Sequence, residues 1–193
     1  MSNRLAINIV LLPSPEMTRK CIYLNRKLPD RDIVLDAQSC IPHLSLCMAG
    51  IEAGNLSKVS AVLDQLKVKP LSLESNGLQA YPVPKAKPFC GLYITKTPEL
   101  TKLQEQVIDI IKPFAVKVGV ADFIDGPKPL DAVWVSNYVK NASSGKFNPH
   151  ITIGLGKFEQ LSSPISFEAT KLAICHLGKF CTCRKLLHEV QLK

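Results

Sequence analysis

One short pattern occurs twice in this chain and constrains its fold more than any other feature. Pro42-His43-Leu44-Ser45-Leu46 and Pro149-His150-Ile151-Thr152-Ile153 share the order proline, histidine, aliphatic, hydroxyl, aliphatic. Alternating polar and apolar residues of this kind belong to a strand with one buried face. The surrounding elements echo one another as well. Leu5 to Leu12 reads as a buried strand. Ser14-Pro15 opens a helix whose apolar face carries Met17, Cys21, Leu24 and Leu28, and Pro29-Asp30 ends it. In the second half, Phe89 to Thr95 reads as a strand, and Thr97-Pro98 opens a helix with Leu100, Leu103, Val107, Ile110, Ile111 and Phe114 on one stripe.

Each half therefore runs strand, helix, intervening segment, then a strand that begins Pro-His. The first half adds a short strand at Ile33-Val34-Leu35, a second helix carrying Leu56, Val59, Val62, Leu63 and Leu66, and an extended segment from Pro70 to Ala80. The second half carries an insertion over 117–147 that the pattern does not assign. It ends with two strands, Ile165 to Leu177 and Cys181 to Leu192. The expectation is a duplicated α+β domain spanning 1–193. Its two pseudo-symmetric lobes cover about 1–80 and 88–193, with exchange of the terminal strands between them left open. A Pro- and Lys-rich link, Tyr81 to Pro88, separates them.

A hydrophobic content of 46% supplies a core and argues against disorder. No apolar run reaches the roughly 20 residues of a membrane span, so no membrane partner is expected. The opening residues do not have the layout of a secretory signal. The seven cysteines are an odd number, which fits reduced thiols and a cytoplasmic location. The net charge of +8 suits either an RNA or nucleotide partner or a soluble protein that is merely basic. No obligate protein partner is evident.

In a strand, His43 and Ser45 share a face, as do His150 and Thr152, while the aliphatic residues point into the core. Two imidazoles and two hydroxyls brought together suit phosphodiester chemistry. A neutral histidine can take a proton from the attacking oxygen, and a protonated one can give a proton to the leaving oxygen. The hydroxyls can hydrogen-bond the non-bridging phosphate oxygens. This arrangement requires no metal and no cofactor.

The residues His43-Leu44-Ser45-Leu46 and Phe147-Asn148-Pro149-His150-Ile151-Thr152-Ile153, with the opening and closing strands, resemble the two-histidine (2H) phosphoesterase superfamily, in its 2′-5′ RNA ligase-like or cyclic phosphodiesterase-like group. That resemblance implies a bilobal α+β fold, with two antiparallel sheets flanked by helices around a central groove. It also implies metal-independent phosphodiester hydrolysis, with RNA or nucleotide 2′,3′-cyclic phosphates as substrates. The alternatives it leaves are a 2′-5′ phosphodiesterase or ligase activity, and a nucleotide- or RNA-end-binding module without turnover. His43 and His150 would be the acid-base pair, in an order the sequence leaves open, and Ser45 and Thr152 would hold the phosphate.

Further residues are candidates for substrate contact. Asn8 interrupts the apolar opening strand and faces either the groove or a hydrogen-bonded core position. Among the aromatic residues that could stack on a base, Tyr81, Phe89, Tyr93, Trp134, Tyr138 and Phe147, the last lies nearest a motif histidine in sequence. Lys85, Lys87, Lys146 and Lys157 lie near the motifs or the link, and at most one of them is expected to meet phosphate. Cys175, His176, Cys181, Cys183 and His188 cluster near the C-terminus, but their spacing matches no common zinc pattern, so core thiols are the expectation. Cys47 shares the face of His43 and Ser45 in an ideal strand, with no base placed to activate it.

Overall fold

A computed structural model describes residues 3–81, 87–156 and 163–193. Strand β1 (Arg4–Pro13) leads into helix α1 (Pro15–Lys27), capped by Ser14 Oγ, which accepts the Met17 amide at 3.3 Å. β2 (Leu44–Glu52), α2 (Leu56–Leu63) and β3 (Leu71–Tyr81) follow. Next come β4 (Phe89–Ile94) and α3 (Pro98–Ile111), whose cap Thr97 accepts the Leu100 amide at 3.2 Å. The insertion holds a two-residue strand β5 (Ala115–Val116) and two short helices, α4 (Pro129–Ser136) and α5 (Tyr138–Ala142). β6 (His150–Leu155), β7 (Ile165–Leu177) and β8 (Cys183–Gln191) complete the chain. None of the described helices is long and apolar enough to cross a membrane.

The strands form one mixed-length antiparallel sheet in the order β1-β2-β6-β4-β3-β7-β8, and β7 also pairs with β1. The pairings fall into two sets that share β7. Residues 165–169 of that strand pair with β3, whereas its later part lies between β1 and β8. The sets touch at a second place, where β2 meets β6 through the single pair Leu44↔Ile151. The two sheets expected from the family resemblance are thus hydrogen-bonded into one.

The echo between the halves extends to their irregularities. Along β1, Ile9 opposes Cys47 but Val10 opposes Ser45, so Leu46 is an extra, bulged residue of β2. Along β4, Cys90 opposes Gly154 but Gly91 opposes Thr152, so Ile153 is the bulged residue of β6. The bulge falls at the last position of the repeated pattern both times. Bulges twist a strand and re-aim the side chains beside it.

The core follows the hydrophobic pattern. In α1, Met17, Cys21, Leu24 and Leu28 are buried, and in α3 so are Leu100, Leu103, Val107 and Ile111. In α2, only Val59 and Leu63 are buried. Ile33-Val34-Leu35 forms no strand. Ile33 and Leu35 are buried as alternation requires, but their backbone partner is a side chain. Asn25 Nδ2 donates to the carbonyls of Ile33 (2.9 Å) and Ile153 (2.7 Å), and Asn25 Oδ1 accepts the Leu35 amide (3.0 Å). One buried amide on α1 therefore ties down both the loop before His43 and the bulge after Thr152. Gly154 makes room for it, since a Cβ there would lie 2.7 Å from Leu28 Cδ1 and 3.1 Å from Asn25 Nδ2.

Candidate active site

β2 starts one residue after His43, and β6 starts at His150. Leu44, Leu46, Ile151 and Ile153 are sealed in the core, while His43, Ser45, His150 and Thr152 are half-buried on the opposite side. The strand alternation expected from the sequence therefore holds over both motifs. Continuing the antiparallel register of Leu44↔Ile151 by one residue each way sets His43 across from Thr152 and Ser45 across from His150. Each imidazole thus has a hydroxyl beside it on its own strand and another across the junction.

Both imidazoles are held the same way. His43 Nδ1 is 2.7 Å from the carbonyl of Ile41, and His150 Nδ1 is 2.9 Å from the carbonyl of Asn148. The acceptor lies two residues upstream each time, with the proline between. Proline fixes its own φ and disfavours helical backbone in the residue before it, which explains why the same local geometry forms twice. A carbonyl only accepts, so each Nδ1 carries a hydrogen and the neutral ring keeps its lone pair on Nε2. The other two histidines spend that nitrogen on structure. His176 Nε2 donates to the Asp122 carbonyl at 2.8 Å, and His188 Nε2 lies 2.8 Å from an Asp64 carboxylate oxygen.

Burial disfavours the imidazolium form and is the main cause that lowers the His43 pKa to about 4. The Ile41 carbonyl pulls the other way, and positive charge on His150 lowers it further. Burial also lowers His150, against the pull of the Asn148 carbonyl. The two rings sense each other's charge, so protonating one opposes protonating the other.

The strands next to the motifs add to the site. Tyr93 of β4 is paired with His150, and its ring stacks on the imidazole with centroids 5.5 Å apart and planes 28° from parallel. Opposite Thr152, a Cβ on Gly91 would sit 3.2 Å from the Ile151 carbonyl oxygen and 3.6 Å from His150 Cδ2, so a bare backbone suits this position. On β1, Asn8 Nδ2 donates to Ser45 Oγ at 2.8 Å. The segment entering His43 is held by Asp36, whose carboxylate accepts the amides of Gln38 (2.6 Å), Ser39 (2.5 Å) and Cys40 (3.3 Å). The Ile41 amide then bonds the Cys183 carbonyl at 3.0 Å.

Several expected contacts fall elsewhere. Phe147 is only 5% exposed, with Lys96 over its ring, so it is a core residue with little face to offer a base. Tyr93, one of the aromatic candidates from the sequence, is the one that the β4–β6 register sets beside a motif histidine. Asn8 is wholly buried, so it stands behind Ser45 and is closed off from solvent. Lys146 reaches the Lys140 carbonyl at 3.3 Å, and Lys87 pairs with Asp30. Lys85, Lys157 and the side chain of Tyr81 lie outside the described residues. Tyr138 is buried against Trp134 on the insertion. The bulge at Leu46 breaks the alternation that would have put Cys47 beside His43. Cys47 is fully buried, and burial raises its thiol to about 12. All seven cysteines are free. Among the described residues, no three His, Cys, Asp or Glu side chains are placed to hold a metal ion. A cavity of about 330 Å³ under the insertion is lined by Met48, Gly50, Lys112, Val116, Val135 and Lys140 and by none of the motif residues.

The fold is that of known structures. The chain superimposes on Escherichia coli LigT bound to NADP+ with a TM-score of 0.58 and 13% identity, covering 100% of this chain and 99% of that one. For TT0787 of Thermus thermophilus the TM-score is 0.60 at 13% identity, with 97% and 98% covered. For a protein described as a phosphoesterase it is 0.54 at 14% identity, with 98% and 99% covered. Structures of LigT with 3′-AMP, ATP and phosphate align over the same extent. No family model and no curated protein sequence matches the chain.

Proposed function

We propose that this chain is a two-histidine phosphoesterase that opens RNA or nucleotide 2′,3′-cyclic phosphates by acid-base catalysis between its two halves. The observation that carries this reading is the pair of imidazoles. They lie diagonally on one face of a single antiparallel junction, each with Nδ1 tied to a carbonyl and each flanked by a hydroxyl. The likeness to LigT structures that hold nucleotides and phosphate supports it at the level of fold.

In this reaction His43 is the base. Its pKa is lowered to about 4, which keeps it neutral at pH 7. His150 takes up a proton once an anionic phosphate sits between the rings, because a nearby negative charge favours the imidazolium. Water attacks phosphorus and gives its proton to His43 Nε2 as the new P–O bond forms. The bond to one ribose oxygen breaks, and that oxygen takes the proton from His150. Ser45 and Thr152 donate hydrogen bonds to the non-bridging oxygens as charge builds on them. The two histidines end with their protonation states exchanged, so the reverse direction uses them in opposite roles. A 2′-5′ phosphodiesterase or ligase activity would use the same groups. The reaction assigns no step to a metal.

The test is hydrolysis of the four nucleoside 2′,3′-cyclic monophosphates and of a short RNA ending in a cyclic phosphate. It is run with chelator, for the wild type and for His43→Ala/His150→Ala. Turnover by the wild type alone is the expected result. Turnover restricted to 2′-5′-linked dinucleotides would move the substrate assignment. Nucleotide binding without turnover of either kind would sink the enzyme reading, and activity lost to chelator but restored by zinc would sink the metal-free one.

A further inference from the structure

Two asparagines, Asn8 and Asn25, are completely buried, and they differ in how their amides are used. Asn25 has both ends bonded, to three backbone groups. Asn8 makes one bond, from Nδ2 to Ser45 Oγ, and its Oδ1 is buried with no partner among the described residues. An unpaired buried carbonyl is destabilising, and an aliphatic residue would suit the surroundings better. Ala6, Ile7, Ile9 and Val10 on either side are all at 0% exposure. Folding alone does not account for an amide here, whereas its single contact is with the hydroxyl assigned to the phosphate.

We propose that Asn8 is a positioning residue that turns the Ser45 hydroxyl into a donor aimed at the phosphate. This inference rests on the proposed phosphate site. An amide N–H can only donate, so Ser45 Oγ must accept from it and its own hydrogen must point elsewhere. Backbone pairing and the core surround Ser45 on its other sides, which leaves the half-exposed face shared with His43 and His150. A hydroxyl that already accepts a hydrogen bond is also a stronger donor. The bulge at Leu46 is what permits the contact. Asn8 pairs with Met48 and Val10 with Ser45, and the extra residue twists β2 so that the amide reaches the hydroxyl diagonally. The second motif is not built this way, because Thr152 Oγ1 has no hydrogen-bond partner among the described residues.

The experiment measures binding of inorganic phosphate by calorimetry, alongside turnover of a 2′,3′-cyclic nucleotide and thermal melting. The variants are Asn8→Leu, Asn8→Asp, Ser45→Ala and Asn8→Leu/Ser45→Ala. Asn8→Leu should weaken phosphate binding and lower kcat/KM by roughly tenfold to a hundredfold, the usual range for a hydrogen bond to a charged group, while its melting temperature stays level or rises. Asn8→Asp reverses the polarity and turns the Ser45 hydrogen inward, so its loss should be at least as large. Within the Ser45→Ala background, Asn8→Leu should have no further effect on either quantity.

Equal losses from Asn8→Leu with and without the Ser45 hydroxyl would overturn the proposal, and so would wild-type binding in Asn8→Leu. Failure here and failure of the proposed function look different. A wild type that binds phosphate but turns over nothing, with binding lost in Asn8→Leu, refutes the activity and keeps Asn8 in its role. A wild type that turns over substrate while Asn8→Leu matches it refutes only the role of Asn8. A wild type that neither binds phosphate nor turns over substrate refutes both.

Discussion

Replacing Asn25 by leucine tests how the site is held together. Asn25 is fully buried on α1 and bonds Ile33 O, Ile153 O and the Leu35 amide. Leucine has nearly the same volume, so no large cavity forms, but three backbone groups lose their partner in a dry interior. Each such group costs about 1–3 kcal/mol, partly offset by relaxation and by roughly 1–2 kcal/mol from burying apolar surface. The expected destabilisation is about 3–5 kcal/mol, a large share of the roughly 5–15 kcal/mol that domains possess. Urea melts should show a lower midpoint with an unchanged slope. Hydrogen exchange adds a local readout, because the Leu35 amide should lose its protection at denaturant concentrations where the β1 and β7 amides keep theirs. Since Asn25 also fixes the bulge after Thr152, kcat/KM should fall as well. A loss below about 1 kcal/mol with Leu35 still protected would refute the claim that this amide clamps the two motifs.

The pH dependence of stability has a definite sign. The folded pKa of His43 is lowered to about 4 from an ordinary 6.5, so stability is complete above pH 6.5 and drains away as pH falls toward 4. The loss is at most about 3 kcal/mol, reduced because the ring is half-exposed, and His43→Asn should flatten that part of a urea-midpoint profile. Asp36 acts lower. Burial raises its pKa, but its hydrogen bonds outweigh burial and bring it to about 2, so its contribution holds above pH 3.8 and is lost below, which Asp36→Asn should remove. Phosphate binding at pH 7 should take up about one proton, read as a dependence of calorimetric enthalpy on the ionisation enthalpy of the buffer, and identical enthalpies in all buffers would contradict the shared-proton scheme. Tyr93→Ala should re-expose His150 and raise its pKa toward 6.5 in an NMR titration, and an unchanged pKa would mean the stack does nothing to desolvate it.

Those parts of the structure that rest on side-chain periodicity were legible in the sequence. Strand alternation placed His43 with Ser45 and His150 with Thr152, and Ser14-Pro15 and Thr97-Pro98 opened helices as expected. Information carried by strand order was not legible. Tyr93 meets His150 only because β4 pairs with β6, and Asn8 meets Ser45 only because β1 pairs with β2 around a bulge. The same bulge removed Cys47 from the site face, which ideal alternation could not foresee. Asn25 did leave a trace, as a polar residue four positions after Cys21 on a face that is otherwise buried. The insertion gave no clear period because its helices are short, and α4 leaves Leu130, Val133 and Trp134 exposed.

A duplicated motif raises a chemical difficulty that the surroundings resolve. Two imidazoles held alike in matching motifs would titrate alike, yet the proposed reaction needs one neutral and one charged. Inside each motif nothing distinguishes them, since both Nδ1 atoms bond a carbonyl two residues upstream. The differences come from the flanking strands. On β1, Asn8 supports the hydroxyl of the first motif, and on β4, Tyr93 covers the imidazole of the second. Charge on one ring opposes charge on the other, so the pair favours a single proton, which the proposed reaction puts on His150. On this argument the duplication supplies the acid and the base, and residues outside the repeated pattern make their surroundings unequal. Exchanging the two tetrapeptides should therefore leave the direction of proton transfer unchanged, whereas Tyr93→Ala, by raising the His150 pKa, should hold the proton on His150 more firmly.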